Sequence, residues 1–104
     1  MTKSIHRLNL PVTDYQQITG HKVISAAPCR TGRSDFIDVW FETGDLPIGL
    51  YIIGTGNAVP WDGEPDWHYR AFEFISTVVT PSGLVWHVYT GPIKVYIGQP
   101  QEIS

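Results

Sequence analysis

The sequence predicts an all-β fold, a small single-domain antiparallel sandwich or barrel of about six or seven strands. Three observations predict it. Short runs of β-branched, aromatic and aliphatic residues recur at intervals of roughly ten residues. Each run stops at glycine, proline or another turn former, most abruptly in residues 51–60 (Y-I-I-G-T-G-N-A-V-P) and 83–92 (G-L-V-W-H-V-Y-T-G-P). No stretch of helical length carries a 3.6-residue apolar period.

Taken in order, residues 4–10 alternate, with His6, Leu8 and Leu10 on one face. Pro11 then withholds a backbone N–H, so this strand ends there or lies at an edge. Residues 12–20 read as a brief strand or loop around Asp14, closed by Gly20. Residues 21–27 form a strand ended by Pro28, and Arg30-Thr31-Gly32-Arg33-Ser34 a polar hairpin loop. In residues 35–43, Ile37, Val39 and Phe41 share a core face. Phe36, Asp38, Trp40 and Glu42 share the other, wet at Asp38 and Glu42 and dry at Trp40. Gly44-Asp45-Leu46-Pro47 reads as a turn, and residues 48–53, apolar on both faces, as a central strand. The longest loop, 57–68, precedes a strand over 69–79, which turns at Thr80-Pro81-Ser82-Gly83 into its hairpin partner, 84–90. The domain is placed at 1–92. Residues 93–104 are an extension with a short strand at 93–97 and a frayed end. One short echo, Ile53-Gly54-Thr55 and Ile75-Ser76-Thr77, is too brief to define a repeat.

A chain of 104 residues is long enough for one core and not for two. Its 42% hydrophobic and 12% aromatic content excludes a disordered chain. The net charge of −3, with scattered lysines and arginines, argues against nucleic-acid binding. Cys29 is the only cysteine, so no intrachain disulfide forms and a reducing cytoplasm is expected; without a nearby histidine, Cys29 reads as a small buried thiol. The first residues, M-T-K-S-I-H-R, have neither the apolar core nor the cleavage site of a leader, and no apolar run is long enough to span a bilayer.

Val39-Trp40, Ile53-Gly54-Thr55-Gly56-Asn57 and Gly83-Leu84-Val85-Trp86-His87-Val88 carry a resemblance. Over residues 4–92 the chain resembles a family of uncharacterised small proteins from tailed bacteriophages and prophages, many from actinobacterial hosts. Its members open with a strand like 5–12 followed by an aspartate (here Asp14), carry a G-T-G-[HN] motif, and end in a [GA]-L-V-W-H-V-[FY] strand. Two departures are visible: Ser76-Thr77 stands where members often have Gly-Thr, and the tail from Pro92 is an extension. The resemblance implies a phage origin and a β-rich fold. It implies no mechanism and no catalytic residues.

Gly54-Thr55-Gly56-Asn57, with Arg30 and Arg33, is a candidate anion-binding set, because successive backbone N–H groups can converge on a phosphate. The plainer reading is a strand-ending turn with positive φ at Gly56 or Asn57, since no helix follows and no phosphate-loop lysine is present. His87 has no triad partner at a recognisable spacing and is expected to be a half-buried structural histidine, bonded to backbone or to Asp38. Four histidines without H-x-H or H-E-x-x-H spacing give no metal site, and Asp62, Glu64 and Asp66 read as a solvated acidic loop. Trp61 and Trp67 differ. Tryptophan in a proline-rich loop packs back on the core or meets a partner. Trp40, Tyr69 and His87 complete the candidate interaction surface, which Tyr51 and Tyr89 could extend. Trp40 and Trp86 are placed at the core or its rim.

The expected function is that of a phage-encoded accessory protein, cytoplasmic in the host, that binds and modulates a host or phage protein. The alternatives are an oligomeric small-molecule or nucleotide binder that sequesters a host defence signal, and a minor virion or assembly protein. No nucleophile stands beside a base, so an enzyme is not expected, nor is a cofactor. Free strand edges make a homo-oligomer a natural outcome.

Overall fold

The computed structural model describes residues 2–94. Among these residues five strands, β1 (Ile5–Pro11), β2 (Tyr15–Pro28), β3 (Phe36–Gly54), β4 (Glu73–Val79) and β5 (Val85–Gly91), form one open antiparallel sheet, with a 3₁₀ helix at Asp66–Ala71. The predicted all-β class holds. The strand count falls below the predicted one because neighbouring predicted strands fuse. Residues 12–20 and 21–27 become β2, and 35–43 and 48–53 become β3.

β3 is the axis. One of its edges pairs with β1 along its first half, from Pro11 opposite Phe36 to Ile5 opposite Glu42, and with β5 along its second, from Gly49 opposite Gly91 to Gly54 opposite Trp86. Its other edge pairs with β2 throughout, from Pro28 opposite Ile37 to Tyr15 opposite Tyr51. Residues 44–47, predicted as a turn, lie inside β3. Pro47 is tolerated there because residues 44–48 fall between β1 and β5, where one edge of β3 has no strand partner among the described residues and no ladder bond is lost. Gly44 marks a bulge instead of a turn. From Gly20 opposite Leu46 to Lys22 opposite Glu42, two steps along β2 match four along β3. Backbone crowds this point, for a Cβ on Gly44 would lie 2.8 Å from the His21 nitrogen.

The core alternation changes phase across the bulge. Before it Ile37, Val39 and Phe41 face inward; after it Ile48, Leu50 and Ile52 do. The sheet bends, and the β4–β5 hairpin folds toward the β1 end. Val78 and Val88 thereby enter the same core as Ile37 and Val39. The Ser82 N–H donates to Ser34 Oγ at 3.1 Å and ties the β4–β5 turn to the loop after β2, while β2 and β4 touch without pairing. The hairpin predicted over 69–79 and 84–90 is present with a later start, because residues 66–71 are helical. Ile93 and Lys94, the start of a predicted strand, are not extended into the ladder, and 95–97 lie outside the described residues.

Gly44→Ala is expected to lower stability by about 1–3 kcal/mol, the ordinary cost of overpacking against backbone. Asp45→Ala, one residue on and exposed, is expected to stay within about 0.5 kcal/mol of the parent. Urea unfolding of the two variants checks this. Equal midpoints would mean that the bulge imposes no constraint.

Candidate functional site

Tyr51 and Tyr89 are cross-strand partners, and both point away from the main core. This outer face of the β3–β5–β4 end is apolar, so it needs a cover, and residues 55–72 supply one. Six rings run edge to edge across it. Tyr15 meets Tyr51 (5.1 Å between centroids), Tyr51 meets Phe72 (5.1 Å), Phe72 meets Trp61 (5.2 Å), Trp61 meets Tyr89 (5.6 Å) and Tyr89 meets Phe74 (5.5 Å). Tilted and T-shaped pairs of this kind add about 0.5–1.5 kcal/mol each beyond area burial. Gly91 makes room: a Cβ there would come within 2.5 Å of the Phe72 ring.

The covering loop is a chain of tight turns, as its sequence dictates. Val59 O accepts from Asp62 N with Pro60 at the second turn position, and Trp61 O accepts from Glu64 N across Gly63 at φ 84°. Pro65 O then accepts from His68 N to start the 3₁₀ helix. Trp61 is thus half-buried within the stack, whereas Trp67 and Tyr69 remain 61% and 51% exposed. Trp67 touches His68 (4.1 Å between rings), and His68 Nδ1 lies 3.3 Å from Glu64 Oε1. Between Trp61, Trp67, Phe72, Pro60 and Pro92 lies an apolar cleft of about 470 Å³, with Glu64 and Arg70 also lining it.

The other predicted residues lie elsewhere. Trp40, half-buried, is opposite Arg7 on the far half of the sheet. His87 is held by hydroxyls rather than by backbone or Asp38: Nε2 lies 2.8 Å from Thr55 Oγ1 and Nδ1 3.0 Å from Thr77 Oγ1. These are the two threonines of the short sequence echo, which flank β5 on either side. Gly54-Thr55-Gly56-Asn57 is a closed turn. Asn57 N donates to Gly54 O, Thr55 N donates to Val85 O, and Gly56 takes φ 92°, so two of the N–H groups an anion would need are already engaged. Arg30 and Arg33 belong to the loop after β2, where Arg33 pairs with Asp35 at 3.2 Å and covers the Phe36 ring at 4.0 Å. A second cleft of about 470 Å³ does include Asn57, but its cation is Lys94, with Asp14, Tyr51 and Ile53 among its other walls. Nothing in the local sequence of Lys94 marks it. Its position comes from the chain crossing Tyr51 and Tyr15, whose hydroxyls bond Pro92 O and Lys94 N.

Asp38, expected to be wet, is fully buried. Asn9 Nδ2 donates to its Oδ1 (2.8 Å), Arg30 N to its Oδ2 (3.2 Å), and Arg7 Nη1 stands 3.3 Å away. Burial pushes its carboxyl up, but the Asn9 amide, the Arg30 N–H and the Arg7 guanidinium outweigh it, and the group titrates below its ordinary 3.8. The same Asn9 amide donates to Cys29 Sγ at 3.2 Å, and Thr31 Oγ1 sits 3.1 Å from that sulfur. Cys29 is buried, as predicted, yet its thiol is not ordinary. The Thr31 hydroxyl and N–H, with lesser help from Arg33 N–H and Asn9, overcome burial and lower it from 9.0 to about 7. Among the described residues, no three His, Cys, Asp or Glu side chains gather as metal ligands.

The chain belongs to a family described as a domain of unknown function (DUF7352), whose model matches residues 1–96. No curated protein and no solved structure matches it. No helix among the described residues is long and apolar enough to cross a membrane.

Asp38→Asn places a donor where Arg30 N, Asn9 and Arg7 need an acceptor, and is expected to cost about 2–3 kcal/mol at neutral pH. Because the folded carboxyl titrates below 3.8, its contribution is complete above the unfolded value and is lost as pH falls through the folded one. The gap between parent and variant, followed by denaturant unfolding from neutral pH downward, therefore closes only below the ordinary carboxylate range; a gap that does not change with pH would contradict the assignment. For Cys29, thiolate absorbance is expected to titrate near 7, moving toward 9.0 in Thr31→Ala. An unmoved midpoint would remove Thr31 as the cause.

Proposed function

We propose that this member of the family is a small phage-encoded accessory protein that acts in the host cytoplasm by binding, and so modulating, a host or phage protein through residues 57–72. Trp67 carries the reading. It is 61% exposed at the rim of an apolar cleft, with the 51% exposed Tyr69 two residues further along the same 3₁₀ helix, on a loop whose base is held by stacked rings. An exposed tryptophan on a fixed support loses little side-chain entropy on contact, which is why such residues concentrate binding energy. The sequence resemblance supports the phage origin.

A second reading, an oligomer that holds a small ligand, draws on the cleft between Tyr51, Asn57 and Lys94. Arg30 and Arg33, on the loop after β2, take no part in it. Native mass spectrometry of protein recovered from infected cells separates the two. A bound mass of a few hundred daltons (roughly the size that a pocket of this class accepts) favours the second reading, and a co-purifying polypeptide favours the first.

The paired variant Trp67→Ala/Tyr69→Ala is expected to keep the parent's unfolding midpoint within about 0.5 kcal/mol and to lose partner retention at least tenfold, the loss that about 1.4 kcal/mol produces. Trp61→Ala, which removes the middle of the stack, is expected to cost about 2–4 kcal/mol of stability. Undiminished retention in the paired variant would refute the surface.

A further inference from the structure

We infer that the cleft between Trp61 and Trp67 takes a proline-rich segment of the partner in polyproline II conformation, with a basic residue at one end; this rests on the reading of the loop as a protein-binding surface. The walls decide the conformation. Where the recognition is mainly apolar or through the backbone, peptides are held by pairing with a free strand edge, by a long groove that accepts a helix face, or by aromatic slots that accept prolines. Here the walls are the turns of the loop and a 3₁₀ helix of six residues, which offer no strand edge and no groove of helical length. What they offer is three aromatic rings, Trp61, Trp67 and Phe72, around a cleft of about 470 Å³. Pyrrolidine rings stack on such faces, and a polyproline helix arrives already ordered, so little entropy is lost. The exposed Trp67 brings an indole N–H, which suits the carbonyls that a polyproline helix leaves unbonded.

Charge fixes the flank. Glu64 lines the cleft together with Arg70 and His68, and the loop also carries Asp62, in a chain of net charge −3. Glu64, on the cleft wall, is 56% exposed and has His68 3.3 Å away. A guanidinium would reach that carboxylate and lie beside Trp67, gaining an ion pair and a cation–π contact together.

The test is a titration of the full chain, isotopically labelled, with three synthetic peptides: nine prolines ending in arginine, nine prolines ending in glutamate, and a glycine–serine peptide of the same length ending in arginine. The four tryptophan indole N–H signals are followed by NMR. The expected result is saturable movement of the Trp67 signal with the first peptide, at least about fivefold weaker binding of the second, and no saturation with the third. Trp67→Ala should weaken the first by about tenfold or more, and Glu64→Gln should abolish the preference for arginine over glutamate. Equal response to the first and third peptides overturns the inference. If that happens while Trp67→Ala/Tyr69→Ala still releases the natural partner, the polyproline assignment fails alone; if the paired variant keeps the partner, the surface fails with it.

Discussion

β3 has to satisfy three neighbours along a single run of nineteen residues, with β2 on one edge and β1 then β5 on the other. No flat strand can do this and still close a core, because the β5–β4 hairpin would extend in plane and leave both sheet faces in water. The bulge at Gly44 resolves the conflict by bending the strand, and Val78 and Val88 then share a core with Ile37 and Val39. Each such side chain, fully buried, is worth about 1.5–3 kcal/mol. That is a large share of what holds so small a domain together. The bend has a consequence on the outer surface. The second half of β3 is apolar on both sides, so folding the sheet covers Leu50 and Ile52 but leaves the Tyr51 face to the loop.

The loop between β3 and β4 exists in its observed form because of Tyr51 and Tyr89. Their rings, paired across strands, are the floor on which Trp61 and Phe72 land. Once these are seated, the turns set by Pro60, Gly63 and Pro65 leave the next tryptophan no place in the stack. Two tryptophans six residues apart thus have opposite roles: Trp61 holds the loop and Trp67 faces outward. A rigid scaffold presenting a few uncommitted aromatic groups is the common design of binding loops. The remaining polar cluster, Arg7, Asn9, Cys29 and Asp38, belongs to the opposite half of the sheet, where it fixes the loop after β2 over an otherwise buried carboxylate.

Legibility in the sequence follows the range of the interaction. Alternation in 37–41 and the hairpin turn at 80–83 are local, and both are readable directly. The fate of Gly44 and Pro47 is not, since a glycine–proline pair signals a turn by local chemistry, and what makes it a bent strand is an edge at 44–48 with no strand partner among the described residues. Asp38 misleads for a similar reason. Its alternation places it off the core face, but burial there comes from the loop at 29–31, and Asn9 reaches it from another strand. Trp61 and Trp67 stand out as unusual for a loop, yet their division depends on Tyr89 and Phe72. Lys94 carries no signal at all.

The shared core and the aromatic face both require β3 to be one continuous strand whose two halves stand or fall together. Native-state hydrogen exchange addresses this by comparing the amides of Ile37 and Val39 with those of Leu50 and Ile52. All four residues are buried, and a single cooperative unit predicts opening free energies that agree within about 1 kcal/mol and rise together with global stability. If the second half opened well below the first, with the β4–β5 hairpin leaving as an independent unit, the molecule would be two elements joined at Gly44, and the continuity of β3 would be refuted.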